Sequence, residues 1–151
     1  MPVKYWSVVR YTTLCGSDLH TYCGLRNEPS PTILGHEIVG VVEDISPSHS
    51  GLDAQGNSLH IGDLITWTVF SSDPSTGVYQ SETPQKNDKL YKYGHRQITE
   101  EDNLHGGLAT HIILRPHTCL RILPKDISLA VAATISSSDN QLCCSDVGRR
   151  A

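Results

Sequence analysis

The sequence is short of several things that would each have pointed somewhere. Among its 151 residues there is one phenylalanine and one methionine, so a core must be built from aliphatic side chains, six tyrosines and two tryptophans. Basic residues are few: 12 Lys and Arg against 16 Asp and Glu leave a net charge of −4. No basic stripe exists to displace counterions from phosphates, which argues against a general nucleic-acid binder. Apolar runs are short. The longest, Ile38 to Val42 and Leu129 to Ala133, fall far below the length of a membrane-spanning helix. After Lys4 come Tyr5, Trp6, Ser7 and Arg10, with no apolar signal-peptide core and no small-residue cleavage site, so a cytoplasmic, reducing setting is expected. The five cysteines are odd in number and form no C-x-x-C pair, which argues against a disulfide framework and a four-cysteine zinc knot. The G-x-G-x-x-G turn that cradles a dinucleotide pyrophosphate is also absent; Gly106 and Gly107 precede a strand-like run and lack that pattern.

What remains is the composition of one globular domain, 38% hydrophobic and 19% charged. Val, Tyr and Thr across Ser7 to Leu14 predict a strand, and Ile38, Val39, Val41 and Val42 predict another over Gly35 to Ile45. Between them Gly16 to Gly24 holds a turn or two of helix, with Ser17 as N-cap and Gly24 as its stop. Ile61 to Phe70 alternates Ile65, Trp67 and Val69 with Leu64, Thr66 and Thr68, the pattern of a half-buried strand. Residues 71–104 are polar, contain Pro74 and Pro84, and read as one long loop. Strands return at Leu108 to Leu114 and Thr118 to Leu123, and a helix begins near Leu129. The expected fold is mainly β with short helices, a barrel or sandwich. Residues 1–126 make the domain and residues 127–151 a disordered tail.

The chemistry concentrates in Cys15-Gly16-Ser17-Asp18-Leu19-His20 and Gly35-His36-Glu37. A thiolate, an imidazole and a carboxylate are the side-chain types zinc accepts, and a catalytic site wants three with a fourth position open. Adjacent residues on a regular strand face opposite ways, so His36 and Glu37 reach one ion only if the chain twists locally, which Gly35 makes easier. The alternative is a buried free cysteine beside an ordinary strand start. Ser17 and His20 are three apart, on one face of a helical turn, and such a pair can pass a proton outward; equally, Ser17 is only a cap and His20 a surface residue. His49, His60, His95, His105, His111 and His117 show no ligand spacing and read as solvated or satisfied.

Taken in order, Cys15-Gly16-Ser17-Asp18-x-His20 with Gly24, Pro31 to Val42 around Gly35-His36-Glu37, Gly62-Asp63-x-Ile65 and Gly106-Gly107-Leu108-Ala109 resemble the N-terminal catalytic domain of the zinc-dependent medium-chain alcohol dehydrogenases. Cys15 to Gly24, Pro84-Gln85-Lys86 and Lys92-Tyr93-Gly94-His95 are similar to the branch associated with phosphonate breakdown. The resemblance implies a GroES-like β-barrel, incomplete at its N-terminus and without its Rossmann domain. It implies that Cys15 and His36 hold a catalytic zinc with Glu37 as an alternating ligand or a carboxylate just outside the ligand set, that Ser17 takes the proton of a small alcohol or polyol and that His20 forwards it. Hydride would pass to NAD(P), held only by the missing domain, which also suggests a Rossmann-domain partner or a homo-oligomer. Two features depart from the family. Its last zinc ligand falls near Ala132 to Ser138, where no Cys or Asp stands, and the stretch Ser71 to Asp88, which corresponds to its structural-zinc lobe, has no cysteine. A structural zinc is therefore not expected, and a non-catalytic remnant or interaction module of the same fold stands as the alternative to an oxidoreductase domain.

Overall fold

The computed structural model describes residues 5–46, 50–72 and 90–135. Seven elements are named in chain order: β1 (Tyr5–Thr13), α1 (Gly16–Tyr22), β2 (Glu37–Asp44), β3 (Leu64–Ser72), β4 (Leu90–Lys92), β5 (His111–Leu114) and β6 (Thr118–Ile122). A further helix, α2, runs from 129 to 135, the last described residue. The strands form one antiparallel sheet in the order β4-β3-β2-β1-β5, with β6 also paired to β3. The fold is mainly β with short helices, as the residue pattern predicts. The expected tail from residue 136 onward lies outside the described residues.

β1 and β2 pair from Trp6↔Asp44 to Thr13↔Glu37, with register shifts at Trp6/Ser7 and Val9/Tyr11 that bend the pair. Ile38, Val42, Ile65, Trp67, Tyr93, Ile112, Leu114 and Leu120 fill the main core. A second cluster of Val39, Leu123, Ala132 and Ala133 seats α2. That second cluster corrects the reading of β3 as half-buried. Trp67 is buried, but so are Thr66 and Thr68 on the opposite face. Each threonine satisfies its hydroxyl against the backbone, Thr66 on Ile38 O at 3.0 Å and Thr68 on Phe70 O at 2.7 Å. Alternation of polar and apolar residues therefore marks two buried faces here, because a threonine with a backbone acceptor is cheap to bury.

Within the long polar segment, the described residues 71–72 and 90–104 carry structure that the loop reading does not anticipate. β3 continues to Ser72, and β4 pairs with it through Phe70↔Lys92, Ser71↔Tyr91 and Ser72↔Leu90. Beyond β4, Tyr93 is fully buried, its hydroxyl 2.6 Å from Thr118 Oγ1 and accepting Arg115 N–H at 2.7 Å. Asp102 gathers Tyr91 Oη at 2.5 Å, Arg96 Nε at 2.8 Å and Arg115 Nη2 at 3.0 Å. Both guanidinium groups also lie over the Tyr91 ring, at 4.4 and 4.9 Å. Polar residues order this segment by bonding one another, a mode that hydrophobic periodicity does not reveal.

Candidate metal centre

α1 starts one turn after β1 ends. Cys15, in extended conformation, is its N-cap, which corrects the assignment of that role to Ser17. The capping carboxylate is Asp18, whose Oδ2 accepts Cys15 N–H at 3.0 Å. Its other oxygen, Oδ1, accepts Gly35 N–H at 3.0 Å and lies 3.4 Å from His36 Nδ1. Asp18 is 1% exposed. One buried carboxylate thus ties the turn that carries Cys15 to the turn that carries His36. The helix ends at Tyr22 with Cys23 as its cap, and Gly24, the expected stop, follows with φ of +73°.

The objection that His36 and Glu37 face opposite ways disappears because β2 begins only at Glu37. His36 belongs to the preceding turn, where Gly35 has φ of +90°. A Cβ on Gly35 would stand 2.9 Å from Leu108 N, so that turn also needs glycine for close approach. Gly107 N–H donates to Gly35 O at 2.8 Å and Leu108 N–H to Leu34 O at 2.9 Å, clamping the turn from the far side. Glu37 accepts a short hydrogen bond from the hydroxyl of Thr13, its partner across the sheet.

The ligand atoms of Cys15, His36 and Glu37 all lie within 4.8 Å of one another. Zinc bonds run from about 2.0 to 2.3 Å, so one ion spans such a set after small side-chain adjustment. His36 Nδ1 is buried without a hydrogen-bond partner, its approach to Asp18 being too poorly aligned for one. Donor chemistry and spacing therefore fit a divalent, zinc-like cation. Ser17 Oγ is 3.5 Å from His36 Nε2, at the edge of the cluster. His20 is exposed on the same helix, and no hydrogen bond joins the two side chains among the described residues.

One neighbour of the cluster does not stand out in the sequence. His95, taken as a scattered histidine, has its ring centroid 5.0 Å from that of His36. Its Nδ1 lies 3.2 Å from Glu28 Oε1, and Glu28 meets Arg26 Nε at 2.6 Å. Burial, and secondarily the adjacent His36, hold His95 below the usual imidazole range, against the pull of Glu28. The signal was Lys92-Tyr93-Gly94-His95, noticed as a motif without a place in space. His105 is fully buried with both ring nitrogens unpartnered, so it is not solvated, and burial lowers its pKa.

Fold and site together define a β-sheet scaffold that brings three candidate metal ligands together at the junction of two turns. Residues 8–125 match the alcohol dehydrogenase GroES-like domain family, and the chain belongs to it. It is 30% identical over 139 residues to D-arabitol-phosphate dehydrogenase of Enterococcus avium, an alignment covering 90% of this chain and 34% of that protein. Zinc-type alcohol dehydrogenase B of Aspergillus flavus is 39% identical over 64 residues, 42% of this chain and 13% of its own. Among solved structures, an alcohol dehydrogenase of Thermotoga maritima superposes with a TM-score of 0.76 at 29% identity, over 88% of this chain and 37% of its own. The chain spans about a third of the length of the dehydrogenases it matches over most of its own length. Its relatives are alcohol and polyol dehydrogenases, and the resemblance is to enzymes of the zinc type. No helix among the described residues is long and apolar enough to cross a membrane.

Proposed function

We propose that this chain is the metal-binding catalytic domain of an oxidoreductase that oxidises a small alcohol or polyol with NAD(P) as hydride acceptor. The observation that carries the proposal is the convergence of Cys15, His36 and Glu37 within 4.8 Å. When bound, a zinc ion supplies Lewis acidity that lowers the pKa of the substrate hydroxyl. The chain's own groups do the rest. Asp18 fixes the two turns that carry the ligands, and Thr13 orients Glu37. Ser17 accepts the hydroxyl proton at the edge of the cluster, and His20, at the exposed face of α1, takes it toward solvent through an intervening donor such as water. These 151 residues contain no glycine-rich dinucleotide turn, so NAD(P) would be held by a separate dinucleotide-binding domain.

The test is metal content with variants. Elemental analysis of the purified chain should give at most one zinc per molecule, and Cys15→Ser and His36→Ala should each abolish binding while circular dichroism stays unchanged. Two zinc ions per chain, or zinc retained in both variants, would sink the assignment.

A further inference from the structure

The backbone sets two histidines against each other by using one device twice. Gly35 precedes His36 and Gly94 precedes His95, and both glycines have positive φ, +90° and +73°. They pack backbone to backbone: a Cβ on Gly94 would stand 2.8 Å from Gly35 O. Gly94 N–H donates to His105 O at 2.7 Å and Tyr93 N–H to Val69 O at 2.9 Å, so the turn that carries His95 is fixed in place. The ring of His95 thereby lies beside that of His36, yet His95 takes no part in the chemistry proposed above.

Both rings also face a carboxylate with the same nitrogen. Asp18 Oδ1 lies 3.4 Å from His36 Nδ1, and Glu28 Oε1 lies 3.2 Å from His95 Nδ1. Each carboxylate is itself tied, Asp18 by two backbone N–H groups and Glu28 by Arg26 Nε at 2.6 Å. A carboxylate only accepts, so in His95 the neutral ring carries its proton on Nδ1 and keeps its lone pair on Nε2. Histidines that ligate metals are oriented in this way, with a carboxylate on one ring nitrogen and the ion on the other. Among the described residues, His95 Nε2 makes no hydrogen bond. The separation of the rings agrees. An imidazole bonded at about 2.0–2.1 Å holds its ring centre about 3.2 Å from the ion, so two such ligands at a tetrahedral angle stand about 5 Å apart. The centroids of His36 and His95 are 5.0 Å apart.

We infer that His95 is a further ligand of the metal, so that Cys15, His36, Glu37 and His95 together offer one sulfur, two nitrogens and one oxygen. His95 lies outside the set whose ligand atoms are within 4.8 Å of one another, so binding requires Nε2 to move inward by rotation about the side-chain bonds. Four protein ligands fill a tetrahedral ion. A substrate hydroxyl then enters only where one ligand yields, and Glu37, with the Thr13 hydroxyl to return to, is the one that has another partner. The inference rests on the proposed metal-centred oxidation and adds a ligand to it.

The test reads the ligands directly in the purified 151-residue chain loaded with cadmium, a spin-active substitute for zinc. Heteronuclear NMR correlates the ion with the ring protons of each imidazole bound to it. Two correlated rings are expected in the wild type, and one in His95→Phe. In chelator competition His95→Phe, which keeps a packed ring but no donor, should weaken zinc by more than about 100-fold, beyond the 10–100-fold of changes to groups that only orient a ligand. His95→Leu serves if the Phe variant does not fold, and the wild-type spectrum needs neither. A single correlated imidazole in the cadmium-loaded wild type overturns the inference alone, as does zinc affinity in a folded His95 variant within about 100-fold of the wild type. Failure of the wild type to take up either cadmium or zinc overturns the proposed function, and this inference with it.

Discussion

At the scale of single residues, the proposed site is held together by a side chain outside the proposed ligand set. Asp18 accepts from Cys15 N–H with one oxygen and from Gly35 N–H with the other. Replacing it with Asn turns one acceptor into an NH2 group that must face an N–H donor, so one of the two ties is lost and the turns separate. Outer-sphere changes of this kind typically cost 10–100-fold in metal affinity. Asp18→Asn should therefore weaken zinc by about that factor in chelator competition, while Asp18→Glu, a carboxylate on a longer arm, recovers part of it. Zinc affinity equal to that of the wild type in Asp18→Asn would show that the ties are dispensable. Cys15, His36 and Glu37 were picked out by their donor types, but composition left a buried free cysteine beside a strand start as the alternative, and it was the ordered resemblance to the family that grouped them. Asp18 was visible as a letter of the motif but not as a clamp, since its partner Gly35 lies 17 residues away and only the folded chain shows that separation closed.

Among the elements, the strands could be read from β-branched runs, with observed ends within about three residues of those expected for β1, β2, β3, β5 and β6. β4 could not, being three residues long and set in a polar context. It is held by the network on Asp102, which fixes the segment bearing His95 and thereby one wall of the site. Burial acts to raise the pKa of Asp102, but hydrogen bonds from Tyr91, Arg96 and Arg115 outweigh it and hold the carboxyl below the usual aspartate range. Tyr91, desolvated and facing Asp102, is pushed up to about 12. For Asp102 the sign follows from the lowered folded value: its contribution is present above the unfolded pKa and is lost as pH falls through the folded one. His105, also lowered by burial, obeys the same rule from a higher start, since the unfolded imidazole takes up a proton below about pH 6.5 that the buried ring refuses. Stability should thus fall in two stages on acidification. His105→Gln should flatten the first, between about pH 7 and 5. Asp102→Asn should cost about 1.5–3 kcal/mol at pH 7, the worth of hydrogen bonds to a charged group, and the gap from wild type should narrow below about pH 4. Urea unfolding at pH 7, 5 and 3 separates the two. A gap that stays constant to pH 3 would remove Asp102 from this account.

For the whole molecule the deciding quantity is positional. Hydride transfer needs the carbon of the alcohol held against the nicotinamide, and such positioning is worth about 7–11 kcal/mol of the barrier. The 151 residues contain no glycine-rich dinucleotide turn, and the chain spans about a third of the dehydrogenases it matches over most of its own length. Around the site, Leu19, Tyr22 and Leu25 stand 51%, 85% and 77% exposed, and Leu14, beside Cys15, 60%. Exposed apolar groups on and flanking one short helix favour contact with a partner surface. Purified by itself, the chain should bind neither NAD nor NADP in calorimetry and should give no alcohol-dependent cofactor reduction above background, even when it holds zinc. Mixing it with a separately expressed dinucleotide-binding domain of the same family should raise turnover, and Tyr22→Ser with Leu25→Ser should reduce that gain while leaving the zinc content unchanged, because neither side chain is a ligand. Robust turnover by the chain alone as a monomer would show that a cofactor site lies within it, and would overturn the division of labour proposed here.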